Sequence, residues 1–225
     1  MEKIDKLMSP RMLMVADAVE PCKSVFDTGS DHAFVPIYLV GKGICKKAVA
    51  SDVKEGPTRV SLKNIKRFGL EDEIRVEQGY GIENADGFEC IIIAGMGGQL
   101  ICDIIERNAA VAHSAKQLVL QPMNAPEKLR RYLWDNGYSI NFENLCSEKH
   151  KVYNVICTEY SGLNENYEGW QLHTSKFLVE NRHRLLSDYL KPKLKRLNDM
   201  IKGSGTNDDL AKLITKLEDI KNENF

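Results

Sequence analysis

Strand-like and helix-like stretches alternate over about 140 residues, several strand-like runs lack a polar face, and the last two such runs follow one another with no helix between them. These features describe a doubly wound α/β sheet with an antiparallel hairpin at one edge, and they point away from the plain dinucleotide-binding fold. The chain opens with Ile4, Leu7, Met8, Met12, Val15 and Val19 at near-helical spacing, with Pro10 marking a break or restart. Then follow "SVFD", a helix from about His32, "AVASDV", a helix from about Gly56, and "EIRVEQ". The series continues with "FECIIIAG", a helix from Gln99, "QLVLQP", a helix from Pro126 to Asn136, "YSINFENLC" and "KVYNVICTEY". "CIIIAG" and "LVLQ" are apolar throughout, as strands covered on both faces should be.

After Tyr160 the character changes. "SGLNENYEG" reads as a linker, so the expected organisation is a first domain over 1–160 and a helical one over 161–225. Phe177, Leu178, Leu185, Leu186, Tyr189, Leu190, Leu194 and Leu197 mark one helix, which Pro192 should kink. Leu210, Leu213, Ile214, Leu217 and Ile220 mark a second, with N-cap chemistry between Thr206 and Asp209. The pair would form a helical hairpin or coiled-coil extension.

A formal net charge of −1 with 28% charged residues gives no general affinity for polyanions. Locally, eight Lys/Arg face three acids between His173 and Lys202, a surplus suited to phosphates or simply to a solvated helix face. The six cysteines form no C-x-x-C pair, and several lie in apolar runs, so they read as reduced core thiols, with no metal site expected. No run is long enough to cross a bilayer, and a cytoplasmic location is the expectation.

In open α/β sheets, ligands sit beyond the carboxyl ends of the strands, where strand order reverses. Three stretches fall at such ends. Asp27 to Ala33 leaves the first strand, with Thr28 and Ser30 beside Gly29, which tightens the turn, and Ala33, which permits close packing. Asp52, followed by Val53, ends the second strand and suits the two hydroxyls of a ribose. "AGMGG" (Ala94, Gly95, Met96, Gly97, Gly98) ends the fourth strand and clears side chains from its tip. An acidic strand end that only caps a helix, or a glycine cluster that only turns, is the plain alternative for each alone.

A dinucleotide loop wants glycines and bare amides facing pyrophosphate. Here Asp27 and Asp31 put negative charge where the phosphates would lie. S-adenosylmethionine carries an ammonium and a sulfonium and no phosphate, so the same charge attracts it. Asp27 is the candidate for the ammonium end.

"DTGSDHAFVPIYLVGKG", "ASDVKEGP", "AGMGG", "LQPMNAPEKLRRYLWDNGY" and "KVYNVI" together resemble the TrmK family, bacterial tRNA (adenine-22-N1)-methyltransferases. The resemblance spans the α/β region, and the tail is similar to that family's helical appendage. It implies a class I, Rossmann-like methyltransferase fold with a mostly parallel seven-stranded sheet. It further implies S-adenosyl-L-methionine as donor, tRNA as partner, and N1 of an adenine as the methylated atom. One departure stands out: the family's acidic residue in the turn after the third strand is replaced by Tyr80 in "QGYGI", leaving Gln78, Gly79 and the Tyr80 hydroxyl as candidate adenine contacts.

N1 of adenine has a free in-plane lone pair, so catalysis should rest on positioning, with the charge of the product ring stabilised nearby. Asp31 is the candidate for that stabilisation or for gripping the target amino group. His32 is a candidate hydrogen-bond partner, or else a packed histidine at a helix start. Gly95, through its carbonyl, and Met96, by packing on a base, complete the expected catalytic set. Gln121 and Pro122 would line the same cleft, and Tyr153 would stack on an extruded adenine or serve the core. Arg130, Arg131 and the basic first tail helix, Arg182 and Arg184 included, are the expected tRNA contacts around the donor cleft, with His150 and Lys151 as weaker ones. Rival readings are a small-molecule methyltransferase whose tail dimerises, a non-catalytic donor-binding module, and an NAD-dependent dehydrogenase, the last opposed by the missing glycine fingerprint.

Overall fold

The computed structural model describes residues 4–204 and 207–223. A short 3₁₀ turn, Ile4–Leu7, precedes α1 (Pro10–Asp17). Pro10 starts this helix because an N1 proline needs no amide partner, and Ser9 caps it by accepting the Met12 N–H. The sheet is built from β1 (Cys22–Thr28), β2 (Cys45–Asp52), β3 (Ile74–Gln78), β4 (Cys90–Met96), β5 (Gln117–Pro122), β6 (Tyr138–Glu148) and β7 (Lys151–Tyr160). Between them lie α2 (Phe34–Gly41), α3 (Glu55–Phe68), α4 (Gly98–Arg107), α5 (Ala109–Ser114) and α6 (Pro126–Asp135).

The strand order is β3-β2-β1-β4-β5-β7-β6. The first five strands are parallel, and β7 and β6 add antiparallel at the far edge. Strand order reverses between β1 and β4, so the two loops leaving those strands stand side by side. Val25, Ile91, Ile92, Ile93, Leu118, Val119 and Leu120 are completely buried, which is why these strands alternate so little. One apolar cluster lies under α1, α2 and α3; the other lies under α4, α5 and α6.

The expected single helix around residues 177–197 is two. A 3₁₀ turn (Gly169–Leu172) leads to α7 (Lys176–Glu180), and α8 (Leu186–Ser204) begins only after a break. Arg182 adopts left-handed backbone there, and the His183 ring meets Asn144 Oδ1 at 2.9 Å, so a contact with β6 turns the chain. α8 continues through Pro192 without interruption. Of the residues read as capping the last helix, α9 (Asp208–Glu223), Thr206 lies outside the described ones. Asn207 does the capping, accepting from the amides of Asp209 and Leu210 at 3.1 Å each. The tail is packed, not free: Leu145 and Val152 of the hairpin join Leu178, Leu186, Leu190 and Leu217 in a third cluster. All six cysteines are free thiols.

Candidate active site

The carboxyl ends of β1, β2 and β3 are knitted by backbone. The amides of Gly29 and Ser30 both donate to Ser51 O, at 2.8 and 2.9 Å. Gly79 N donates to Asp52 O at 3.1 Å, Thr28 Oγ1 to Gly81 O at 2.8 Å, and Gln78 Nε2 to Val53 O at 3.0 Å. Three loops read separately from the sequence therefore hold one another. Ala33, fully buried, takes left-handed backbone (φ 56°) just before α2, a conformation tolerated there because the packing fixes it.

These loops enclose a cavity of about 200 Å³ lined by Thr28, Gly29, Asp52, Val53, Tyr80 and Met96, with Gly81, Leu100 and Ile104 closing it. Gly29 has a backbone reason to be glycine, its φ of +77°, whereas the Met96 Cε that a Cβ would meet at 2.6 Å ends a flexible side chain and can move. The last three lining residues were missed by sequence reasoning. For Leu100 and Ile104 the available signal was their i, i+4 spacing in the first turns after "AGMGG".

Asp27, the residue before the cavity-lining Thr28, is 6% exposed, with no basic side chain paired to it among the described residues. Burial pushes its carboxyl up to about 7, against a smaller opposing effect of the Ser30 hydroxyl. Ser51 Oγ is likewise buried without a hydrogen-bond partner. Asp31 and His32 stand at the surface, Nε2 to Oδ2 3.3 Å apart, with the His32 ring stacked on Phe34. The helix opens at Phe34, so His32 precedes it.

β4 ends in a bulge. Gly95 (φ +77°) falls between Ala94, which pairs with Gln121, and Met96, which pairs with Pro122. Gln121 is completely buried, and the expectation that it meets substrate is corrected: its Oε1 accepts from Gly95 N (3.2 Å) and Arg11 Nη1 (2.9 Å). It holds the bulge from below. Pro122 is buried beside it, and lines a second, larger groove with half-buried Tyr153. Arg11, unsuspected from sequence, lies with Cζ 5.7 Å from the Tyr153 ring centre.

Arg130 is also corrected. Its side chain is fully buried against Glu143, so it cannot meet a phosphate. Arg131, Arg182 and Arg184 are exposed, and none of them lines the cavity or the groove.

A family model described as "Methyltransferase domain" matches residues 8–156. The tRNA (adenine(22)-N(1))-methyltransferase of Bacillus subtilis (strain 168) is 31% identical over 167 residues, covering 73% of this chain and 70% of the relative. The chain belongs to the TrmK family. Streptococcus pneumoniae Sp1610, a candidate tRNA (m1A22) methyltransferase solved in complex with S-adenosyl-L-methionine, superposes with a TM-score of 0.84 at 29% identity, over 95% of this chain and 99% of that one. The B. subtilis m1A22 tRNA methyltransferase TrmK gives 0.78 at 25% identity, over 96% and 97%.

The TrmK fold thus accounts for the sheet, the hairpin edge and the tail. Within it, Tyr80 is 56% exposed and packs under Arg107, Cζ 5.9 Å from the ring centre. A carboxylate returns to this turn from Glu83, whose Oε1 accepts the Tyr80 N–H at 3.3 Å. Its signal in the sequence was an acid three residues after the missing one. Among the described residues, no helix is long and apolar enough to cross a membrane, and no cluster of three or more His, Cys, Asp or Glu could hold a metal ion.

Proposed function

We infer that this chain methylates N1 of adenine 22 in tRNA, using S-adenosyl-L-methionine as donor. The observation that carries the reading is buried Asp27, without a basic partner among the described residues, directly before the cavity-lining Thr28 and Gly29 at the point where strand order reverses. A buried carboxylate that has the Ser30 hydroxyl but no cation beside it suits a cationic ligand group, and the unpartnered Ser51 hydroxyl adds an open polar site. The residues present fit this donor and disfavour a pyrophosphate.

In this reading Asp27 receives the donor's ammonium end, with Thr28, Gly29, Ser30, Ala33, Ala94 and Gly97 shaping the approach. Asp52 accepts the ribose hydroxyls, and Val53, Gln78, Gly79 and Tyr80, with Glu83, surround the adenine. The bound donor supplies an electrophilic methyl group on a sulfonium. No proton would have to leave the target: N1 would attack the methyl carbon through its own lone pair as the carbon–sulfur bond breaks, a neutral thioether would leave, and the positive charge would pass to the methylated ring. Asp31, exposed at the rim, stabilises that charge or holds the target's amino group, and His32 orients Asp31. Met96 packs against the base while Gly95 leaves room for it. Residues 1–160 would form the donor-binding unit and 161–225 the helical unit, and a tRNA substrate makes the cytoplasm its place of work.

The test is methylation of a tRNA transcript, mapped by mass spectrometry, against a transcript with guanine at position 22. Methyl transfer to the first only is the expected result. Modification of both, or of a small molecule alone, would overturn the assignment.

A further inference from the structure

A second concavity is larger than the donor cavity. It is a groove of about 820 Å³ that runs between the β6–β7 turn, the β5–α6 loop and α8. One wall carries Lys149, His150 and Lys151 from the turn; the other carries Lys191, Lys193 and Lys195 from α8. Asp188 is the single acid among its lining residues. None of the five lysines has an ion-pair partner among the described residues. Lys193 Nζ rests 4.4 Å from the Tyr189 ring centre, and the other four lysines are exposed; together they give both walls of the trench a positive potential that attracts an anionic strand.

The groove also leads to the chemistry. Its floor at the β5 end is Pro122, Met123 and Asn124. Met123 N donates to Met96 O at 2.8 Å, and Met96 lines the donor cavity. One backbone hydrogen bond thus joins the wall of the groove to the wall of the cavity, with Tyr153 lining the groove and Arg11 Cζ 5.7 Å from its ring centre.

We propose that this groove is a phosphate track, which grips the sugar–phosphate backbone on the side of the RNA arm that carries the target adenine. The proposal rests on the tRNA reading above. It moves the RNA contact away from Arg130, Arg131, Arg182 and Arg184 and makes the hairpin turn and the tail helix joint walls of one site. It also gives the tail a role that needs no contact with donor: α8 contributes one side of the track, and its packing on the hairpin sets the track's width.

The full-length protein tests this with Lys149→Gln/Lys151→Gln/Lys191→Gln/Lys195→Gln and the matching quadruple Glu variant. All four side chains are exposed, so donor affinity by calorimetry and melting temperature should stay at wild-type values. Affinity for an unmodified tRNA transcript should fall at least tenfold for Gln and further for Glu. The slope of log K against log salt should flatten by about 0.7–0.9 for each phosphate that the variant no longer neutralises. KM for tRNA should rise more than kcat falls. Wild-type tRNA affinity and salt slope in both variants would overturn the track while leaving the methyltransferase reading intact. A wild-type chain that binds donor but neither binds nor methylates any tRNA would instead overturn the reading, and the track with it.

Discussion

Arg130 and Glu143 pair fork to fork in the interior: Nε meets Oε1 and Nη2 meets Oε2, each at 2.7 Å, with both side chains fully buried. Arg130 also donates to Leu172 O at 2.8 Å and to the Tyr189 hydroxyl at 3.2 Å. One guanidinium therefore ties α6, the hairpin and the helical tail together. Removing one member leaves the other as a buried, uncompensated charge, which costs roughly 3–5 kcal/mol, whereas replacing both with apolar groups of similar volume is far milder. Arg130→Met should lower the melting temperature by roughly 10 °C for a chain of this size, and Arg130→Met/Glu143→Leu should recover most of that loss. A single variant that melts with the wild type would show that the pair does not hold the tail to the sheet. Cutting the chain near Gly162 would strip Leu172 and Tyr189 from the same cluster. Reduced tRNA affinity in such a truncation would accordingly mix misfolding with the removal of a binding surface.

Gly98 and Gly97 make a second, comparative prediction. A Cβ on Gly98 would stand 2.5 Å from Ala125 O and 2.9 Å from Asn124 O, both backbone atoms that cannot swing aside. A Cβ on Gly97 would meet only the Asn124 side chain, at 3.2 Å. Gly98→Ala should then destabilise by about 1–3 kcal/mol, and Gly97→Ala by clearly less, in chemical denaturation. Equal costs would mean the β5–α6 loop adapts freely and does not clamp the start of α4.

Gln121 is where the support of the β4 bulge can be measured. Gln121→Leu leaves Gly95 N and Arg11 Nη1 without their shared acceptor; both bonds are only partly buried, so water replaces part of the loss and the cost is about 0.5–1.5 kcal/mol. Because the bulge presents Gly95 and Met96, turnover should drop by roughly two- to tenfold, while donor affinity, set mainly on the β1–β3 side, changes little. A fall in donor affinity that matches the fall in kcat would make Gln121 part of the donor site.

The α/β architecture was largely legible because its signals are local. "QLVLQP" and "KVYNVICTEY" coincide with β5 and β7 residue for residue, bounded by a proline or by turn residues. α5 separates from α4 at Asn108, whose side chain bonds back to Ile104 O, and no periodicity announces that. The tail's break depends on His183 finding Asn144 across the fold, a tertiary contact that a run of leucines cannot report. Arg130 was readable in principle. It falls on the buried stripe with Leu129, Leu133 and Trp134, and an arginine on such a stripe needs an interior partner. Arg11 was not, since its meaning comes from Gln121, 110 residues away.

Asp27 supplies the pH prediction. The unfolded carboxyl sheds its proton near 3.8 and the folded one near 7, because burial disfavours the charge. Between those values the unfolded chain holds fewer protons than the folded one, so without donor the contribution of Asp27 to stability falls as pH rises through that window. A cationic group beside Asp27 favours the ionised form and expels the proton. Donor affinity should therefore climb as pH rises towards 7 and level off above it, with proton release seen by calorimetry in buffers of different ionisation heat. Asp27→Asn should bind more weakly and lose both the slope and the proton release. Wild-type affinity that is flat or falls between pH 5.5 and 7 would show that no cation approaches this carboxylate.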